Sequence, residues 1–177
     1  MNVVDFQKYA KRTCPNLGSS GNNASHMALG IYTELGELYT ALHHTQKDID
    51  EVNVREELGD IMWYIANMAT LIDYPLMEVT AGNHTFGFNE LFKQSTVLAD
   101  VIKKHMAYGK ELDVQKVTDE LFLLNIMCHN FYDMGIKVDL HLAMEKVIAK
   151  LRIRYPEKFT AEAALNRDLD AERSALE

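Results

Sequence analysis

The chain has 177 residues, the size of one globular domain or two small ones, and a formal charge of −8 from 26 acidic and 18 basic residues. The charge is lopsided: residues 1–90 hold 12 acids and 5 bases, whereas residues 91–177 hold 14 acids and 13 bases. An acidic chain without a basic stripe argues against a nucleic-acid partner, whose phosphates need neutralising; apolar runs far shorter than about 18 residues argue against a membrane span; and Met1-Asn2-Val3-Val4-Asp5 lacks the features of a signal peptide.

Helical spacing dominates what remains. A short helix is expected at 3–12. The segment 13–23 (TCPNLGSSGNN) is rich in Gly, Ser and Asn and reads as a loop, either a solvated connector or a flap near a ligand site. From 24 to 44, Met27, Ile31, Leu35, Leu38 and Leu42 step by three or four. The same spacing predicts helices at 53–72, 90–108, 114–134 and 138–155. A polar helix is expected near 161–176. No stretch shows sustained apolar/polar alternation, so strands are not expected, and Pro15, Pro75 and Pro156 fall between periodic segments. The fold class is all-α, a helical bundle in one domain spanning 1–177. Cys14 and Cys128 stand in no metal-ligand spacing and read as free thiols, which places the chain in the reducing cytoplasm.

The chain also resembles itself. A shift of 63 residues pairs Thr33 with Thr96, Leu35 with Leu98, Asp50 with Asp113, Glu57 with Glu120 and Asn67 with Asn130, among 8 identities in the 35 positions 33–67. The turns match as well, Lys47-Asp-Ile-Asp50 against Lys110-Glu-Leu-Asp113. This predicts two tandem helical hairpins, 24–86 and 87–160, packed as a four-helix core, with 161–177 as a tail.

The chemistry sits in the first repeat. Glu34 and Glu37 lie three residues apart on one helix, and Glu57 and Asp60 lie three apart on the next. A hairpin brings these carboxylates to one level, at the edge of the apolar stripe. Carboxylates packed so closely repel one another and resist desolvation, and a divalent cation removes the conflict. Only Lys47 and Arg55 lie between positions 13 and 90 to serve as counter-charges instead. A carboxylate-bridged di-iron bundle is disfavoured, because no Glu has His three residues later. Gly36 and Gly59 hold the same place in the two motifs and point to close approach of a ligand or a helix.

With this arrangement of Glu34, Glu37, Glu57 and Asp60, the sequence resembles the all-α nucleoside triphosphate pyrophosphohydrolases, the MazG-like group with its dimeric dUTPase and dCTPase relatives. Two further stretches are similar to that group: Lys150-Leu-Arg-Ile-Arg154-Tyr155-Pro156-Glu-Lys-Phe159 and Lys103-Lys104-His105-Met-Ala-Tyr108-Gly109-Lys110. The resemblance implies Mg²⁺-dependent hydrolysis of a (d)NTP to (d)NMP and pyrophosphate, with Mn²⁺ as a possible substitute ion. It assigns Glu34, Glu37, Glu57 and Asp60 both as metal ligands and as the catalytic set. Basic residues would hold the triphosphate: Lys150, Arg154 and Lys104. Trp63 and Tyr64 are placed to stack on the base, or to fill the bundle core. Asn67 is placed to hydrogen-bond the nucleoside or a neighbouring helix, and His26 to reach the nucleotide or to be structural.

The second repeat departs from the pattern, with Val97, Asp100, Glu120 and Leu123 at the four ligand positions. Conversely, Gly87 and Leu91 stand where Lys150 and Arg154 stand in the second. One composite site is therefore expected, with carboxylates from repeat one and cations from repeat two. A homodimer or higher oligomer is expected from the apolar faces two hairpins leave. Two alternatives remain beside this enzyme: a dimeric-dUTPase-like dUTP/dUDP hydrolase, and a non-catalytic nucleotide-sensing module on the same fold.

Overall fold

The computed structural model describes residues 1–43, 49–80 and 82–177. Its elements are α1 (Val3–Arg12), α2 (Ser20–His43), α3 (Glu51–Leu71), α4 (Phe88–Tyr108), α5 (Val114–His129), a two-stranded hairpin β1 (Tyr132–Asp133) and β2 (Ile136–Lys137), α6 (Leu140–Arg154), α7 (Ala161–Leu165) and α8 (Leu169–Leu176). The fold is an all-α bundle. Lys47 and Asp48 of the first expected turn, and His44 at the expected end of the second helix, lie outside the described residues.

The expected stripes form the core. Leu35, Leu38 and Leu42 of α2, Leu58, Ile61 and Ile65 of α3, Leu98 of α4, and Leu121 and Leu124 of α5 are all buried. The helix α3 lies at the centre, packed against α1, α2, α5 and α6. Gly59 is what lets α3 and α6 meet: a Cβ there would stand 2.6 Å from Val147 Cγ2 and 3.0 Å from the Ala143 carbonyl oxygen. Gly36, its counterpart in sequence, has nothing among the described residues within 4 Å of such a Cβ, so among them the expected close approach holds for Gly59 alone.

Several corrections have local causes. The expected loop 13–23 is helical from Ser20 onward. Ser19 caps that end, its Oγ accepting the Asn22 N–H at 3.1 Å, and capped first turns are where Ser, Asn and Gly are tolerated. The helix expected to run to 134 stops at His129, because Met134 (φ 50°) and Gly135 (φ 87°) make a hairpin turn between Asp133 and Ile136. The C-terminal helix is two helices, restarted by Asp168, whose side chain accepts the Ala171 N–H. Nor is that tail merely a polar surface helix, since Glu172 and Leu176 are buried and α8 packs on α6.

The two hairpins, α2–α3 and α4–α5, share two local features. Asp50 caps α3 through the Asn53 N–H and Asp113 caps α5 through the Lys116 N–H. Asn67 donates to the Trp63 carbonyl and Asn130 to the Ile126 carbonyl, one turn back in each helix. No helix among the described residues is long and apolar enough to cross a membrane.

Candidate active site

Helix α2 carries Glu34 and Glu37, and α3 carries Glu57 and Asp60 one turn apart. Antiparallel packing of the two helices sets the pairs side by side. Oxygens of Glu34, Glu37 and Glu57 lie within 4.8 Å of one another. Burial, and then the charges of Asp60 and Glu37, push the Glu34 carboxyl well above the usual carboxylate range. Burial, and then Asp60, Glu34 and Glu37, push Glu57 up in the same way. Three oxygen donors that cannot all stay ionised are a fit for a hard divalent cation.

Asp60 takes a different partner. The Lys150 ammonium of α6 bonds to Asp60 and, at 2.9 Å, to Glu56. Lys150 is only 3% exposed, so this ion pair is shielded from water. Burial alone would lower the lysine's pKa, but Asp60 and Glu56 outweigh it and raise it. Glu56 was not among the expected site residues. Its sequence signal is its place one turn before Asp60 on the same face of α3.

One cavity of about 400 Å³ collects these groups. Glu34, Glu37, Glu57 and Asp60 line it from α2 and α3, and Lys150 and Arg154 line it from α6. His26, Trp63 and Tyr64 line it too. Trp63 is mostly buried and donates its indole N–H to Thr13 Oγ1 at 3.0 Å. Tyr64 is half-buried and sits edge-on to both His26 and Trp63. Thr13, Pro15 and Leu17 of the segment before α2 form part of the wall, so this segment borders the cavity.

Arg154 is held as well as placed. Its Nε and Nη2 donate to Glu172 of α8 at 2.9 and 2.5 Å. Arg167, which also lines the cavity, donates to the same carboxylate. Burial raises the Glu172 carboxyl, but the two guanidiniums outweigh it and hold it down at about 2. Neither Arg167 nor Glu172 was expected, because a short polar tail gives no periodic signal for a buried acid.

Two expected contacts lie elsewhere. Lys104 is exposed on α4 and pairs with Asp100; α4 packs chiefly against α2 and α5, and Lys104 is not among the residues lining the cavity. Asn67 lies two turns beyond Asp60, is buried, and spends its amide on the Trp63 carbonyl. In the second hairpin each remaining carboxylate has its own cation: Asp100 has Lys103 and Lys104, and the buried Glu120 has Lys116.

Residues 22–84, which carry all four expected ligands, match the family model of the MazG nucleotide pyrophosphohydrolase domain. The gene 37 protein of Mycobacterium phage L5 is 35% identical over 94 residues, covering 47% of this chain and 82% of that protein. The chain belongs to the MazG nucleotide pyrophosphohydrolase family. No solved structure matches it significantly. The family match ends before α4, so Lys150 and Arg154 reach the MazG carboxylates from outside the matched segment.

Proposed function

We propose that the protein is a Mg²⁺-dependent nucleoside triphosphate pyrophosphohydrolase with one composite site. Water adds to the α-phosphorus of a (d)NTP and the α–β anhydride bond breaks, so (d)NMP and pyrophosphate leave. The observation that supports this best is the single cavity uniting the α2–α3 carboxylates, the α6 cations and an aromatic wall. Glu34, Glu37, Glu57 and Asp60 are the proposed ligands. Magnesium, with Mn²⁺ as a substitute, would neutralise charge on the triphosphate there and acidify a water.

The remaining work falls to the chain's own groups. Lys150 spends bonds on Glu56 and Asp60, and an ammonium with three donors keeps one for a phosphate oxygen. Arg154 spends Nε and Nη2 on Glu172, and a guanidinium with five N–H donors keeps others for a phosphate oxygen. In such a site positioning and charge neutralisation supply most of the rate. Trp63, Tyr64 and His26 would flank the base and sugar. Asn67 and Lys104 are not carried into this reading, since neither lines the cavity.

The matched N-caps and matched asparagines support descent of the two hairpins from one duplicated unit. That observation favours the dUTPase-like arrangement, with dUTP or dUDP as substrate, as the second reading. Self-association is part of the proposal, supported by exposed Leu29, Phe92 and Tyr108 on α2 and α4; a monomer mass by light scattering would contradict it. The test of function is pyrophosphate release from a (d)NTP panel with Mg²⁺ or Mn²⁺. Release that disappears in Glu37→Ala and Asp60→Ala is expected. Release from no nucleotide would point to the non-catalytic nucleotide-sensing module, and full activity in either variant would remove that residue from the ligand set.

A further inference from the structure

A second cluster of ligating side chains stands at the other end of α6. It consists of Glu78 from the segment before α4, His129 at the end of α5, and His141 at the start of α6, with one donor atom from each within 4.8 Å of the others. From His141 to Lys150 is nine residues of helix, about 14 Å, so this cluster is separate from the cavity described above.

The hydrogen bonds fix which ring atoms are free. His129 Nδ1 is 2.9 Å from the Asn125 carbonyl, and His141 Nδ1 is 2.8 Å from the Met1 carbonyl. A carbonyl only accepts, so each Nδ1 carries the proton and each neutral ring keeps its lone pair on Nε2. Metal-binding histidines are oriented in this way, one nitrogen donating to a carbonyl while the other ligates. His129 is 9% exposed, and its buried Nε2 has no hydrogen-bond partner among the described residues. A buried polar atom left without a partner keeps the full cost of its lost hydration, so it calls for one. His129 and His141 line the same open cleft, of about 340 Å³, with their rings edge-to-face at 5.5 Å. Glu78 is held in place as well: its Oε1 accepts the Val3 N–H at 2.5 Å. Lys137 also lines the cleft, but its long stem lets the ammonium stay in water.

We propose that Glu78, His129 and His141 form a second metal site, for a divalent transition ion of the zinc type. Two imidazoles and one carboxylate suit zinc rather than magnesium, and three protein donors leave a fourth position for water. Donors at about 2.1 Å from a tetrahedral zinc stand about 3.4 Å apart, a contraction that side-chain torsions can supply. The ion ties the segment before α4, the end of α5 and the start of α6 together. It thereby fixes the helix that carries Lys150.

The test titrates Zn²⁺ into the full chain in saturating Mg²⁺, with a chromophoric chelator as competitor and imidazole NMR signals as a second readout. One zinc equivalent is expected, with the Nε2 signals of both His129 and His141 shifted. His141→Asn, on an exposed side chain, and Glu78→Gln, which keeps an acceptor for Val3 N–H, should each weaken binding by about tenfold or more. Glu37→Gln should leave it unchanged. No zinc equivalent in the wild type, or wild-type affinity in both His141→Asn and Glu78→Gln, would overturn the proposal. So would loss of the equivalent in Glu37→Gln, because the ion would then belong to the other site.

Discussion

Glu57 shows how one residue can be costly to the fold and useful to the site. Its carboxyl is buried among Glu34, Glu37 and Asp60 and is pushed far above the usual range. Glu57→Gln keeps the shape and removes the charge conflict. In metal-free buffer this variant should be more stable than wild type by about 1–2 kcal/mol, while pyrophosphate release is lost. Denaturant melts in EDTA check the first half; a destabilised Glu57→Gln would show that the carboxylate is held by something other than a cation. Glu172 is the opposite case, because two guanidiniums surround it and depress its pKa to about 2. Glu172→Gln should cost on the order of 2 kcal/mol near pH 7. A depressed pKa gives stability that is present above the unfolded value, about 4.3, and is lost as pH falls towards about 2. The gap between wild type and variant should therefore be flat above pH 5 and shrink below it, as melts across pH 2–7 would show.

At the scale of the element, the two motif glycines part company. Sequence gives Gly36 and Gly59 equal standing, since each sits between its paired carboxylates. Only Gly59 faces a packed helix. Gly36→Ala should stabilise the fold by up to about 1 kcal/mol through helix propensity alone. Gly59→Ala should destabilise it by about 1–3 kcal/mol, because the added methyl meets Val147 and the Ala143 backbone. Thermal melts of both variants decide the point, and equal shifts of one sign would contradict it. The same limit governs what the sequence could reveal elsewhere. Apolar spacing located the five long helices, and paired acids located the α2–α3 cluster. Capping by Ser19 and Asp168 and the turn at Met134-Gly135 were not legible, because a few hydrogen bonds there override composition. Lys104 stands in a stretch that resembles the family and Asn67 two turns after Asp60, but neither sign says which neighbour a helix face meets.

For the whole molecule, the lopsided charge gains a structural meaning. The acidic half supplies Glu34, Glu37, Glu57 and Asp60, and the near-neutral half supplies Lys150, Arg154 and Arg167 to the same cavity. Within the second hairpin, by contrast, Asp100 and Glu120 are each paired with lysines. On the proposed reading, one hairpin kept the ion site and the other half of the chain took over the phosphate. This division of labour is the central claim. Its most direct test is the steady-state kinetics of the Lys150→Gln, Arg154→Gln double variant on the best (d)NTP, with helical circular dichroism as the control for folding. The composite site predicts a fall in kcat/KM of about 100-fold or more, with retained helicity. Wild-type KM and turnover in that variant would contradict it.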